Sequence, residues 1–206
     1  DAMRRRGQAL MCCAVALEDV ELEVEGVASL AGAAGGGAGG PKRWQASVVT
    51  MQRLAPDLMR LLLQLPEGPP LSFAAGQYIN ILLDDGVKRA FSFASAPHDN
   101  ALIELHVRRV PGGRFTSHVF ESMREGDTID FEGPLGRFTL QESTRPILFI
   151  AGATGFAPIK SIVEDAFHRG VQRPMHLYWG VRQKADLDLR DRAERWASEH
   201  PNFRFV

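Results

Sequence analysis

The sequence of 206 residues has few features of a disulfide scaffold, a nucleic-acid-binding protein or a membrane protein. It contains two cysteines, Cys12 and Cys13, and adjacent cysteines rarely form a stabilising disulfide framework. Aromatic residues amount to 8% and the formal net charge is -1, so neither stacking platforms nor a basic surface for nucleic acid is indicated. No apolar run approaches the roughly 18 residues that cross a bilayer. We therefore expect a cytoplasmic protein that binds neither nucleic acid nor membranes.

Motifs of self-contained catalytic centres are also missing. The six histidines show no HExxH or other metal-ligand spacing, and there is no GxSxG nucleophile motif. Trp44 and Trp196 are interpreted as packing residues, whereas Trp179 fits a core position and a pocket wall equally well. Since no nucleophile is paired with a base, the chemistry is expected to come from bound cofactors.

Composition divides the chain into four segments. Residues 1–27 end in VELEVEGV, whose alternation of apolar and acidic residues predicts a strand. Residues 28–41 (ASLAGAAGGGAGGP) are mostly Gly and Ala, which cannot bury a core, so we expect a flexible linker. Residues 42–142 and 143–206 carry the periodic patterns of folded domains.

Residues 42–142 are predicted to form an antiparallel β-barrel. Short segments with β-branched or aromatic residues at period two are separated by turn sequences such as PEGPP and DDG. About six strands at this spacing predict a closed antiparallel barrel, interrupted by one helix at Arg114–Met123. The segments are WQASVVTM, LMRLLLQL, QYINILL, RAFSFAS, ALIELHV and DTIDFEG.

Residues 143–206 alternate apolar strands with helices, which predicts a parallel sheet. The strands are RPILFIAG, MHLYWGV and NFRFV, and the helices are predicted over Ala157–His168 and Asp186–His200. A doubly wound domain needs roughly 100–150 residues. We therefore expect the N-terminal half of such an α/β domain, in a chain truncated at both ends.

The segment Gly152–Pro158 (GATGFAP) joins the first of these strands to a helix. Its glycines are expected to let the backbone turn sharply and approach a ligand, and Pro158 suits a first helical turn. The N–H groups and dipole of a helix start favour a phosphate, and ligands bind at the carboxyl ends of parallel strands. Because the spacing is not GxGxxG, a structural turn explains this segment equally well.

The segment Arg89–Ser92 (RAFS) places three groups that suit a flavin nucleotide within one predicted strand. Arg89 can pair with a diphosphate, the ring of Phe91 can stack on an isoalloxazine, and the Ser92 hydroxyl can bond a ring nitrogen. His106, in ELHVRR, lies on a neighbouring predicted strand and is a weaker candidate for flavin contact.

A second barrel motif, VPGGRFTS at residues 110–117, precedes the predicted helix. Gly112 and Gly113 stand before the helix start, and Thr116 adds a hydroxyl. This motif fits a second phosphate cradle or a capped helix.

The order RAFS, PGGRFT, GPLGRF, GATGFAP and YWGVR resembles the ferredoxin–NADP reductase superfamily. Within it, the chain is most similar to iron–sulfur flavoprotein reductases that serve oxygenases and deoxysugar dehydrases, of the CDP-6-deoxyglucoseen reductase type. The resemblance covers residues from about 43 to 206. It implies FAD and NAD(P)H as ligands. The family's later Cys-Gly motif and aromatic C-terminal segment have no counterpart here.

The resemblance also implies roles for barrel residues. Arg89 would bind the FAD diphosphate, and Ser92 would face flavin N5, which receives the hydride. Phe91 stands where the family usually has tyrosine. Gly112, Gly113 and Thr116 would close around the diphosphate.

In the second domain, the resemblance implies that Gly152, Thr154 and Gly155 approach the nicotinamide nucleotide. Arg182 would lie near its adenosine half. Near Arg182 the charges are mixed, since Lys184 is followed by Asp186, Asp188 and Asp191, and this mixture favours NADH weakly.

The cysteine segment ALMCCAVALEDVELEVE resembles the end of a plant-type [2Fe–2S] ferredoxin domain. Aligned in this way, Cys12 is the last cluster ligand and Cys13 its neighbour. A buried thiol pair in a strand is the alternative. Because the cluster needs four thiolates, the resemblance implies a [2Fe–2S] centre only in a longer protein.

The expected function is transfer of electrons from NAD(P)H through FAD to an iron–sulfur centre and a terminal oxygenase or dehydrase. One alternative is a reductase that releases free reduced flavin, and the Cys12 segment argues against it. The other is a flavin-binding electron-transfer subunit without NAD(P)H turnover.

Overall fold

The structure is a computed structural model that describes residues 41–68, 71–181, 183, 186–187 and 189–206. The strand predicted at VELEVEGV, the linker up to residue 40 and both cysteines lie outside the described residues.

The first domain, called the barrel below, is a six-stranded sheet in the order β4-β3-β6-β1-β2-β5. Neighbouring strands are antiparallel, and the two edges meet through a bridge between Phe93 and Leu105. The predicted antiparallel barrel is thus confirmed. Its strands are β1 (Arg43–Ala55), β2 (Leu58–Gln64), β3 (Tyr78–Leu82), β4 (Lys88–Ser92), β5 (Ile103–Arg108) and β6 (Thr128–Leu135).

Alternation along the strands produces the barrel core. Ile79 and Ile81 of β3 are fully buried, and so are Leu61 and Leu63 of β2, because every second side chain points inward. Helix α1 (Arg114–Glu121) packs Phe115 against this core. It ends two residues before the predicted boundary, which is the usual uncertainty at a helix end.

The second domain, called the nucleotide half below, is a parallel sheet in the order β7-β8-β9. The strands are β7 (Ile147–Gly152), β8 (Met175–Gly180) and β9 (Phe203–Phe205), and the helices are α2 (Phe156–His168) and α3 (Arg190–Glu199). The predicted parallel α/β arrangement is confirmed.

Helix α3 begins four residues later than the sequence predicts. The Asp186 carboxylate accepts a hydrogen bond from the Gln183 amide at 3.1 Å, and the Asp186 amide donates to the Gln183 carbonyl at 2.9 Å. These two bonds tie Asp186 back to Gln183, ahead of the helix. Leu187 and Leu189, which precede the helix, pack against the core, and the predicted helix boundary is wrong.

One face of the parallel sheet packs on the helices. Phe149 and Ala151 of β7 are buried there, whereas Leu148 and Ile150 on the opposite face are 61% and 75% exposed. Among the described residues, no helix has the length and apolarity required to span a bilayer.

Candidate functional site

A cleft of about 1430 Å³ runs between β4, β5 and the start of α1 on one side and the start of α2 on the other. Pockets for drug-sized ligands measure roughly 300–1,000 Å³, so this cleft can hold a larger ligand. Ten of the residues singled out from the sequence line it: Arg89, Phe91, Ser92, His106, Gly112, Gly113, Thr116, Thr154, Gly155 and Pro158. Residues far apart in sequence are therefore brought together.

Strand β4 presents the RAFS motif to the cleft. The exposed Arg89 guanidinium donates through Nη1 to the Lys88 carbonyl at 3.0 Å, its one side-chain hydrogen bond to a described residue. The Phe91 ring is half-buried and is supported by Phe115, with 5.2 Å between ring centroids. Ser92 ends the strand and is also half-buried. A cation, an aromatic face and a hydroxyl therefore follow one another along one wall.

The loop before α1 is shaped by Thr116. Its Oγ1 accepts a hydrogen bond from the Val110 amide at 3.1 Å and lies 3.1 Å from the Gly113 carbonyl. A Cβ on Gly113 would come within 2.6 Å of this hydroxyl, and Gly112 has a φ of +72°. The buried hydroxyl is thus used within the loop. No side chain caps α1 at Gly113, so the first amides of the helix can bind an anion.

Arg108 is a cationic group that the sequence analysis missed. Its Nη1 donates to the Asp57 carboxylate at 2.6 Å. Its Nε and Nη2 are buried without a hydrogen-bond partner among the described residues, and the side chain lines the cleft. Buried guanidinium donors normally find an acceptor, and a diphosphate supplies one. Strand alternation, which places Arg108 on the same face as His106, could have revealed it.

The GATGFAP loop does not turn in the way that its glycines suggest. Gly152 and Gly155 have φ values of -119° and -60°, which any residue adopts. The left-handed residue is Ala153, with a φ of +46°. A Cβ on either glycine would meet no atom of a described residue within 4 Å. The expectation that these glycines are needed for the turn is therefore wrong, and what they provide is open space beside the backbone.

Trp179 holds this loop from the core side. It is 6% exposed and stacks on Phe156 at 3.9 Å between ring centroids. Its Nε1 donates to the Ala153 carbonyl at 3.1 Å, which fixes a residue in an uncommon conformation. Trp179 is thus a core residue rather than a pocket wall.

The start of α2 offers backbone donors to the cleft. A 3-10 turn, Ala153–Gly155, leads into α2, and no side chain caps the helix at Gly155. Pro158 lies in the first helical turn, as the sequence predicts. Uncapped amides at the positive end of a helix dipole, next to open space at Gly155, suit a phosphate group.

His106 lies in the wall between cleft and core. It is 6% exposed, and its Nε2 is 2.8 Å from Oε1 of Glu104. Burial by itself raises the pKa of Glu104, but the bond to His106 and the charge of Lys160 outweigh it and hold this pKa well below its usual value. The imidazole of His106 is thus hydrogen-bonded to a buried carboxylate.

The remaining sequence-derived candidates either do not line the cleft or lie outside the described residues. Gly152 ends β7 beside the cleft without lining it. Cys12 and Arg182 lie outside the described residues. Within the part of the chain that the structure describes, no group of three His, Cys, Asp or Glu side chains could hold a metal ion.

Family models match both domains. Residues 45–140 match the oxidoreductase FAD-binding domain, and residues 149–206 match the oxidoreductase NAD-binding domain. The observed groups fit these ligands, because the cleft holds guanidinium donors and helix amides that no side chain of the described residues satisfies.

Similar proteins include reductases. Over 97% of the chain, it is 40% identical to the terephthalate 1,2-dioxygenase reductase component 1 of Comamonas sp., of which it covers 57%. It is also 36% identical to a CDP-6-deoxy-L-threo-D-glycero-4-hexulose-3-dehydrase reductase of Yersinia pestis. That match spans 98% of this chain and 59% of the Yersinia protein.

A solved structure supports the same grouping. The crystal structure of an Amycolatopsis cytochrome P450 reductase matches with a TM-score of 0.74 and 39% identity, over 80% of this chain and 51% of that one. The predicted resemblance is thus confirmed in sequence and in fold, and the chain belongs to the ferredoxin reductase family, with an FAD-binding domain followed by an NAD-binding domain.

Proposed function

We propose that this chain is the FAD- and NAD(P)H-binding part of a reductase that delivers electrons to an iron–sulfur centre and then to a terminal oxygenase or dehydrase. The observation that carries the proposal is the shared cleft. It is lined on one side by arginines of the barrel and on the other by the N-terminus of α2, where a phosphate can bind. The chain spans about three-fifths of relatives that are named as reductases of a dioxygenase and a dehydrase.

In the barrel, we assign Arg89 and Arg108 to the FAD diphosphate, together with the first amides of α1. Phe91 would lie against the flavin ring, held from behind by Phe115. Ser92 would donate to the ring edge, where the bound flavin supplies a hydride acceptor that can pass electrons on singly. These side chains bind and orient, and none of them needs to move a proton.

In the nucleotide half, we assign the nicotinamide nucleotide to the start of α2. Thr154, Gly155 and Pro158 would lie against it, Gly155 by leaving room and Thr154 by its hydroxyl. Support comes from the open space at Gly155 and from the uncapped helix amides.

We propose NADH rather than NADPH as the reductant. Asp186 lines the far end of the cleft, and its carboxylate is fixed by the bond from the Gln183 amide. A carboxylate repels a 2′-phosphate and accepts a hydrogen bond from a 2′-hydroxyl. A tenfold or greater preference for NADPH in kcat/KM would contradict this assignment.

The electron acceptor is proposed from the relatives and from the first residues of the chain. If residues 1–27 are the end of a ferredoxin-like domain, Cys12 is one of the four ligands of a [2Fe–2S] cluster in a longer protein. The partner oxygenase or dehydrase, and a cytoplasmic location, stay predictions.

An anaerobic titration with NADH tests the proposal. The protein is loaded with FAD, NADH is added, and the visible flavin absorption is followed. Saturable bleaching with flavin still attached after gel filtration is the expected result. Bleaching with release of reduced flavin would instead indicate a free-flavin reductase. Bound flavin that NADH does not bleach would indicate an electron-transfer subunit without NAD(P)H turnover.

A further inference from the structure

A buried lysine joins the two domains behind the cleft. Lys160 lies on α2 and is 4% exposed. Its Nζ donates to the Ala94 carbonyl at 2.9 Å and to the Glu104 carboxylate at 3.1 Å, both in the barrel. The third bond, of 3.0 Å, goes to Glu164 on its own helix. All three ammonium donors are thus satisfied, as burial of a charge requires.

The contact is close in sequence to both ligand-binding walls. Ala94 lies two residues after Ser92, and Lys160 lies two residues after Pro158. The Ala94 amide also donates to the Glu104 carbonyl at 2.8 Å, so both barrel partners of Lys160 are tied to each other. One ammonium group therefore links the end of the RAFS strand directly to the first turns of α2.

Lys160 is the centre of a row of alternating charges that crosses the domain boundary. On the barrel side, Nη2 of Arg60 donates to Oε2 of Glu104 at 3.3 Å, and the two side chains form an ion pair. On the other side, Arg192 of α3 donates to Glu164 at 2.7 Å. Removal of Lys160 would leave each of these carboxylates with a cationic partner. A neutral residue at this position is therefore compatible with folding.

The boundary also has apolar contacts, and these are less directional. The turn at Gly76 packs so closely on α2 that a Cβ there would lie 2.8 Å from the side chain of Ile162. Apolar packing holds surfaces together but permits small sliding. The two hydrogen bonds that Lys160 donates to the barrel specify position and direction. Lys160 thus fixes the position of α2 relative to the barrel more tightly than the apolar contact does.

We propose that Lys160 is a positioning residue that sets the start of α2, and with it the bound nicotinamide, against the flavin wall at Ser92. The effect on hydride transfer rests on the proposed function. The placement of α2 against the barrel rests on the contacts of Lys160 to Ala94 and Glu104. Hydride transfer requires reacting atoms within about 3–3.5 Å, and a misplacement of 1 Å slows such a step by roughly a hundredfold.

The test compares Lys160→Gln with the matched control Arg192→Gln. Both variants remove one cation that pairs with Glu164, but Arg192 contacts no barrel residue in the row. FAD affinity, NADH affinity and the rate of flavin reduction at saturating NADH are measured by anaerobic stopped flow. We expect Lys160→Gln to slow reduction at least tenfold and to weaken the charge-transfer absorption on NADH binding, with the FAD dissociation constant changed less than threefold. Arg192→Gln should stay within twofold throughout.

Amide hydrogen exchange separates this inference from the proposed function. Peptides covering residues 93–96 and 156–163 should exchange at least threefold faster in Lys160→Gln than in Arg192→Gln. If NADH does not reduce the parent protein, the proposed function fails, and faster exchange still supports the link between the domains. Unchanged exchange in that case, or a reduction rate within twofold of the parent, overturns the inference.

Discussion

The two walls of the cleft offer ligand contacts of different kinds. The barrel supplies cationic side chains, Arg89 and Arg108, whereas the nucleotide half supplies backbone amides at the start of α2 and the space left by Gly155. A side chain can be truncated without loss of the backbone that carries it, but a backbone amide can be obstructed only by added atoms. Shortening a side chain is therefore expected to weaken ligand binding at the barrel wall. Adding a side chain is expected to weaken ligand binding at the wall formed by the nucleotide half.

The largest effect is expected where the two domains meet. Glu104→Gln removes a buried charge that Arg60, His106 and Lys160 surround, and loss of one buried partner typically lowers the free energy of unfolding by about 3–5 kcal/mol. Denaturant unfolding at pH 7 measures this loss. Glu142→Gln is the control, because Glu142 is 91% exposed in its ion pair and should contribute less than about 1 kcal/mol.

The stability difference between the parent and Glu104→Gln is also expected to depend on pH. The pKa of Glu104 is lowered on folding, so its stabilisation is complete above the unfolded value of 4.5 and is lost as pH falls below it toward the folded pKa. The stability difference between the parent and Glu104→Gln should stay constant from pH 7 to 5 and shrink below pH 4.5. A difference that grows on acidification would contradict the lowered pKa.

Truncation of the barrel wall should affect FAD and spare NADH. Arg89→Ala removes a charge-assisted bond of about 1.5–3 kcal/mol, which corresponds to a roughly 10- to 150-fold weaker FAD affinity. Flavin fluorescence titration measures it. Arg43→Ala is the control, since Arg43 is an exposed barrel arginine outside the cleft. Equal losses in the two variants would show that overall charge, not the site, was responsible.

Enlargement of the nucleotide wall should have the opposite selectivity. Gly155→Val places a side chain where no atom of a described residue lies within 4 Å of a Cβ, so the melting temperature should be unchanged. The NADH dissociation constant should rise about tenfold, and FAD affinity should stay within twofold. A lowered melting temperature with unchanged NADH binding would mean that the glycine is structural.

The smallest effect is expected at Ser92. Ser92→Ala removes one hydrogen bond, worth about 1 kcal/mol, and should slow flavin reduction about fivefold without loss of bound FAD. Stopped-flow reduction by NADH measures the rate. Ser47→Ala, at an exposed position of β1, should leave it unchanged. An unchanged rate in Ser92→Ala would remove Ser92 from the flavin contacts.

The sequence predicted the elements of both domains because their cores follow simple periodicities. Alternation in β2 and β3 marked barrel strands, and the apolar pattern of α2 marked its buried face. The RAFS and GATGFAP motifs identified both walls of the cleft, because short motifs place their chemistry locally.

Three features could not be read in this way. The left-handed conformation of Ala153 depends on a hydrogen bond from Trp179, which lies 26 residues later in the sequence. The buried Lys160 depends on partners 56 and 66 residues away in sequence. The start of α3 depends on the turn at Asp186, which competes locally with the helix. Each is decided by a specific hydrogen bond, and hydrophobic periodicity carries no information about such bonds.

Titration of the flavin-free protein with FAD, for the parent, Arg89→Ala and Gly155→Val, tests the central claim most directly. We expect saturation at one FAD per chain, a roughly 10- to 150-fold weaker affinity for Arg89→Ala, and an affinity within twofold of the parent for Gly155→Val. Absence of saturable FAD binding, or equal weakening by both substitutions, would contradict the assignment of FAD to the barrel wall.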